Sequence, residues 1–176
     1  RFITSLYFDY PDLTLFTQSE EGIPPRFKAR IRWYDRDLLS FEKGAFEIKK
    51  TLPHGRKKTS VAVTEILSVD APEWAKIKAG QLQPTLFVRY RRAYFADPHR
   101  NRATIDSDIR YCLAVGNYRG RKSFAPVFTM MDPENVLEIK LTNAAGINRY
   151  LDNVPHIPRR FSKYCQGLSL LTGRTH

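Results

Sequence analysis

A mainly β (α+β) domain is predicted, a closed antiparallel β-barrel with peripheral helices, on three observations. Most apolar residues recur with period two, as in strands whose side chains alternate between faces. The runs are joined by short polar connections. No linker rich in Ser or Gly divides the chain, so one domain over residues 1–176 is expected.

The first run, Phe2 to Tyr10, is closed by Pro11 and Asp12, and the second is Arg26 to Tyr34. A third, Ala45 to Thr51, ends in a Pro53-His54-Gly55 turn. The stretch from Thr59 to Ala79 has helical spacing, with Val63, Ile66 and Leu67 on one face and Ala71 to Trp74 resembling a helix start with Pro72 in its first turn. Further strands are expected over Thr85 to Phe95, Ala103 to Ile105 leading into Asp106, Ile109 to Val115, and Val136 to Leu141. The tail holds a short helix around Phe161 to Leu170. The total is about seven strands with little helix between them, a set suited to a sheet that closes on itself.

Composition narrows the partner. A chain of 176 residues with eleven Phe and nine Tyr can bury a sizeable core, which excludes wholesale disorder. Lys and Arg number 29 against 18 acids, a net charge of +11, and this points to a polyanion: nucleic acid, a membrane surface or a phosphate compound. A merely basic, soluble surface is the alternative. Cys112 and Cys165 lie far apart and form no metal motif; both are read as reduced thiols in a cytosolic setting, with a single disulfide as the other reading. No apolar run is long enough to cross a bilayer. His54, His99, His156 and His176 have no spacing suited to a metal or a catalytic base.

The second strand carries the functional signal. Arg26, Lys28, Arg30 and Arg32 fall on one face, and Phe27, Ala29, Ile31 and Trp33 on the other. A surface strand, apolar in and charged out, shows the same parity. Other strands repeat it: Glu47 and Lys49 oppose Phe46 and Ile48, Glu138 and Lys140 oppose Leu137 and Ile139, and Arg102, Thr104 and Asp106 oppose Ala103 and Ile105. Tyr90 and Arg92 share a face with Val88 and Tyr94. If the apolar face is turned outward, the cations converge inside the barrel and repel one another. A run of phosphates, with many oxygens to accept forked hydrogen bonds, relieves that repulsion. A carboxylate such as Glu138 among cations and phosphates is a hard oxygen ligand for Mg²⁺ or Mn²⁺.

With these residues the chain resembles the VTC-type polyphosphate polymerase domain, a branch of the triphosphate tunnel metalloenzyme (CYTH-like) superfamily. The motifs that carry the resemblance are Ile3 to Asp9, Lys28 to Tyr34, Phe46 to Lys49, Tyr90 to Phe95, Arg102 to Asp106, Leu137 to Lys140 and Phe161 to Tyr164, in the family's order over almost the whole chain. The resemblance implies an eight-stranded antiparallel tunnel that binds phosphate chains. It implies phosphate contacts from Arg30, Arg32, Lys49, Tyr90, Arg92, Arg102, Arg160 and Lys163, to which Lys28 and Lys140 of the same faces are added, and a divalent metal at Glu138. Arg30, Arg32, Lys49, Arg92 and Lys163 would carry the reaction. The family begins with a Glu/Lys strand and a helix that this sequence lacks, so the tunnel is expected to miss its first strand, through truncation or because another copy supplies it.

The reaction so implied is metal-dependent phosphoryl transfer from ATP to make inorganic polyphosphate, with Mn²⁺ or Mg²⁺ as cofactor. A triphosphate or polyphosphate hydrolase and a non-catalytic polyphosphate-binding module are the alternatives. Nucleic acid is not an expected partner, since the aromatics alternate away from the cations instead of interleaving with them for base stacking. A cytoplasmic location is expected, or the cytoplasmic face of a membrane reached through segments outside this chain. Lys57 and Lys58 are read as part of a solvated turn.

Overall fold

The computed structural model describes residues 1–34, 38, 43–64, 76–77, 79–114, 126–142 and 158–174. The period-two runs form strands: β1 (Phe2–Asp9), β2 (Arg26–Trp33), β3 (Ala45–Leu52), β4 (Gly55–Ala62), β5 (Gln83–Ala96), β6 (Arg102–Leu113), β7 (Met130–Met131) and β8 (Val136–Lys140). Helices α1 (Thr14–Glu21) and α2 (Lys163–Thr172) accompany them. Every strand pairing is antiparallel.

The sheet runs β4-β3-β2-β1-β5-β6, and β6 is flanked on its far side by both β7 and β8. It is a curled half-barrel and not the closed barrel expected from the sequence. Closure would require the far side of β6 to continue onto β4. That side carries only the two-residue β7, opposite Arg110 and Tyr111, and the five-residue β8, opposite Arg102 to Asp106. At the other end, the outer edge of β4 is strongly exposed and bears Arg56, Lys57 and Lys58, charges that discourage further strand pairing.

Two expectations are corrected here. The helical reading of Thr59 onward fails at its start, because Thr59 to Ala62 complete a hairpin strand against β3. The Gly55 turn, with φ of 153°, lets the chain reverse within two residues of Leu52. The remainder of that stretch, including Ile66, Leu67 and Ala71 to Trp74, lies outside the described residues, as do Val115, His156 and His176. Second, Ala103–Ile105 and Ile109 onward belong to one strand. Pairing between β5 and β6 slips at Arg89/Arg91, beside Asp108 with its left-handed φ of 53°. This bulge changes the parity of β6, so Arg102, Thr104 and Asp106 face the same side as Ile109 and Tyr111.

Each side of the sheet has its own core. On one, Leu6, Phe8, Ala29, Ile31, Trp33, Phe46, Ile48 and Phe87 pack together, the apolar parity set of β1, β2 and β3. On the other, Ile3, Tyr7, Leu86, Val88, Tyr90, Ile109 and Tyr111 receive Tyr164, Cys165 and Leu168 of α2. Both cysteines are buried free thiols.

The helices are tied down by one carboxylate. Leu13, at the N-cap of α1, has no side chain able to cap it. Asp9, at the end of β1, accepts instead from the backbone N–H of Leu15 (2.8 Å) and Phe16 (2.9 Å), and from the Tyr164 hydroxyl of α2. Burial pushes the Asp9 carboxyl up, against the pull of these hydrogen bonds. Ser162 caps α2 by accepting from the Cys165 N–H.

Close approach of α2 to the sheet depends on Gly167, where an added Cβ would meet the Tyr111 ring at 2.3 Å and Leu86 at 2.9 Å. Gly167→Ala is expected to destabilise the fold by about 1–3 kcal/mol, because a buried ring must move to admit the methyl. A lowered urea midpoint would record this; an unchanged midpoint would show that α2 docks more loosely.

Candidate functional site

The parity of each strand, combined with the observed register, brings the charged residues onto one face, here called the inner face. Tyr7 of β1 stands opposite Arg30, Arg30 opposite Glu47, and Lys28 opposite Lys49. Across the sheet, Arg92 is opposite Asp106, Thr104 opposite Glu138, and Arg102 opposite Lys140. Lys49 and Glu138 are five strands apart, more than 20 Å along a flat sheet at roughly 4.8 Å per strand. The half-barrel curl turns these two flanks toward each other. The start of α2 lies over this hollow: Lys28 on β2 donates to Ser162 Oγ (2.6 Å), and the next residue, Lys163, reaches Asp106 on β6 (2.5 Å).

Two buried carboxylates organise the cations. Glu47 accepts from Arg30 Nε (2.8 Å), Arg30 Nη2 (2.6 Å) and Lys58 Nζ (2.5 Å), with Arg32 Nη1 at 3.8 Å. Burial alone would push Glu47 up, but the charges of Arg30 and Arg32 and the hydrogen bond from Lys58 outweigh it and hold the carboxyl at about 2. Asp106 accepts both arms of the Arg92 fork, at 2.5 and 2.6 Å, besides Lys163. Burial opposes its ionisation too, and the Arg92 hydrogen bonds and Lys163 charge lower its pKa on balance.

The aromatic residues of this face are equally charged in their surroundings. Arg30 Nη1 donates to the Tyr7 hydroxyl (2.9 Å), and Tyr7 stacks on Tyr164 at 5.1 Å between centroids. Burial would raise the Tyr7 pKa; Arg30, Arg32 and Lys28 overcome that and bring it down to about 8. Tyr90, only 1% exposed, lies beneath Lys163 (4.8 Å) and Arg92 (5.3 Å), and its hydroxyl has no hydrogen-bond partner among the described residues. Burial, partly offset by Arg32 and Arg92, pushes it up to about 12.

Of the residues singled out from sequence, Lys28, Arg30, Arg32, Lys49, Tyr90, Arg92, Arg102, Glu138, Lys140 and Lys163 share the inner face. Lys49 and Arg102 have no ion pair among the described residues, and Glu138 meets Lys140 at 3.4 Å. Arg92, Arg102, Thr104, Glu138 and Lys140 line an indentation of about 270 Å³, where the Thr104 hydroxyl is buried with no hydrogen-bond partner among the described residues. Arg160 is placed elsewhere. It donates to the Ser19 carbonyl of α1 and borders a separate indentation between α1 and α2.

Sequence reading missed Glu47, Lys58, Arg56, Tyr7 and Asp106 as contributors. Lys58 is not in a solvated turn but in β4, where it and Arg56 stand opposite Lys49 and Thr51. The alternation of Arg56, Lys58 and Ser60 after Gly55 was the available signal. Tyr7 and Asp106 were present in the motifs, but their ionic partners depend on pairing that no single strand reveals.

The VTC domain model matches residues 1–71 and 67–172 of this chain. The chain belongs to the VTC domain family. The expected tunnel superfamily is consistent with the curled sheet, and a polyphosphate-related function goes with the family. No curated protein matches the sequence significantly.

Two pH effects follow. Glu47 and Asp106 have lowered pKa values, so they contribute stability that is complete above the unfolded carboxylate range and lost as pH falls through the folded one. Denaturation midpoints are expected to fall from about pH 4.5 toward pH 2, with Glu47→Gln removing a part on the order of 2–3 kcal/mol. A variant with the wild-type acid limb would show that Glu47 is not held as described. Tyr7 is expected to ionise near pH 8, seen as a tyrosinate absorbance step that vanishes in Tyr7→Phe. Persistence of the step in that variant would assign it to another residue.

Proposed function

We propose that the inner face binds the phosphate chain of inorganic polyphosphate, triphosphate or ATP, and that it supports transfer of the ATP γ-phosphoryl group to a growing polyphosphate end. The carrying observation is the convergence of Arg30, Arg32, Lys28, Lys49, Arg92 and Lys163 on one concave surface, where Glu47 and Asp106 are the buried carboxylates paired with them among the described residues. Guanidinium forks match phosphate oxygens in geometry, and the surplus of cations favours a ligand with several linked anionic groups. Arg30, Arg32, Lys49, Arg92 and Lys163 act here by neutralising the transferring oxygens and aligning donor with acceptor, which is most of what phosphoryl transfer asks of a protein. The unpartnered hydroxyls of Tyr90 and Thr104 supply further polar contacts on the same face.

Mn²⁺ or Mg²⁺ fits one position. Glu138 is the carboxylate of the indentation shared with Thr104 and Lys140, and among the described residues no three acidic, His or Cys side chains converge. A single carboxylate suits a hard cation that takes its other ligands from phosphate oxygens and water. When bound, the ion supplies charge neutralisation at the phosphates.

The inner-face rings of Tyr7 and Tyr90 are buried beneath cations, whereas Tyr94 of the same face is exposed beside Arg92. Among the described residues no helix is long and apolar enough to cross a membrane. Dependence on ATP fits a domain at the cytoplasmic side.

Arg30→Ala with Arg32→Ala is expected to abolish the thermal stabilisation that tripolyphosphate confers on the wild type; an unchanged melting shift would refute the site. Incubation with ATP and Mn²⁺, followed by staining for polyphosphate and assay of released phosphate, separates the activities. Polyphosphate supports the polymerase reading. Free phosphate alone would replace it with hydrolysis, and binding without either product would leave a binding module.

A further inference from the structure

We propose that Glu47 and Asp106 are resident counter-ions that set the shortest phosphate chain the inner face accepts. This rests on the phosphate-chain reading of that face and adds its specificity. The two carboxylates lie on different flanks, Glu47 on β3 and Asp106 on β6, and both are buried, at 5% and 1% exposure. Each occupies the cations that a phosphate would seek.

Arg30 commits Nε and Nη2 to Glu47 and Nη1 to the Tyr7 hydroxyl, and Lys58 also points at Glu47. Arg92 commits both arms of its fork to Asp106, which Lys163 shares. A single phosphate arriving at either flank therefore competes with a carboxylate already seated at hydrogen-bond distance by two cationic side chains. Its gain is the difference between two anions, and that difference is small.

A chain of phosphates meets a different balance. Lys49 and Arg102, one on each flank, have no ion pair among the described residues. Among the described residues, Lys28 is held by the neutral Ser162 hydroxyl. A ligand long enough to engage these cations while contacting Arg32 gains from several sites at once, whether or not the two carboxylates yield. Arg32 is itself poorly committed, with Ser5 Oγ at 3.3 Å and Glu47 at 3.8 Å. The carboxylates thus penalise short anions more than long ones. Without them, the same cations would trap orthophosphate and pyrophosphate.

The test is calorimetric titration of the whole chain with orthophosphate, pyrophosphate and tripolyphosphate, for the wild type, Glu47→Gln and Asp106→Asn. The wild type is expected to prefer tripolyphosphate. Each variant should bind the two shorter anions about tenfold more tightly while tripolyphosphate changes less, so that discrimination narrows by a similar factor. Should Glu47→Gln fail to fold, as judged by its melting transition, Asp106→Asn decides at the other flank. A folded variant that binds all three anions more weakly would overturn the inference, showing that the carboxylate only positions its arginine. Unchanged discrimination would overturn it as well. Absence of tripolyphosphate binding by the wild type would instead defeat the phosphate-chain reading, and the inference with it.

Discussion

Repulsion between like charges gathered on one face of a curled sheet is the constraint on which the rest of this structure depends. Strand parity places the cations together; curling then brings the flanks closer than a flat sheet would. Such a surface is tolerable only because Glu47 and Asp106 are drawn into it and kept ionised by the charges they neutralise. Neither carboxylate is an independent stabilising feature: each is buried because its partners hold it there, and the partners are oriented because it accepts from them. The forked arginines are thereby held in fixed poses by the carboxylates they neutralise.

Helix α2 extends this economy to the roof of the site. Its apolar side packs on Tyr111, Leu86 and Val88, while its first turn presents Ser162 and Lys163 to cations and anions of the sheet. Tyr164 joins the two roles. The ring stacks on Tyr7, directly beside Arg30, and the hydroxyl reaches the Asp9 carboxylate that also caps α1. Packing, helix capping and the alignment of an inner-face arginine therefore share one short set of side chains.

Much of this was legible in the sequence because parity is a local property. The faces of β2 and β3 follow from alternation alone, and the cationic set they define is the one found on the inner face. What escaped prediction depended on pairing between distant segments. The ends of the sheet are not encoded in any one strand, so the open edge at β4 replaced the expected closed barrel. Lys58 was hidden because the helical spacing after Thr59 overlapped a strand whose partner is β3. Helix α1 is short, weakly amphipathic and capped from outside by Asp9, so it left little trace in the local pattern. Arg160 shows the opposite limit: adjacency to Lys163 in sequence did not put it in the hollow, because the chain before α2 turns it toward the end of α1.

The bulge beside Asp108 works like a shift of reading frame within a single strand. On one side of it, odd-numbered residues of β6 look toward α2; on the other, even-numbered residues take over that orientation. Strand β6 can thus devote one half to hydrophobic packing and the other to ionic contacts, each half with its own alternation. A one-residue insertion or deletion within the Arg102–Asp106 half would change the chemistry of that surface wholesale, while leaving the packing half in phase.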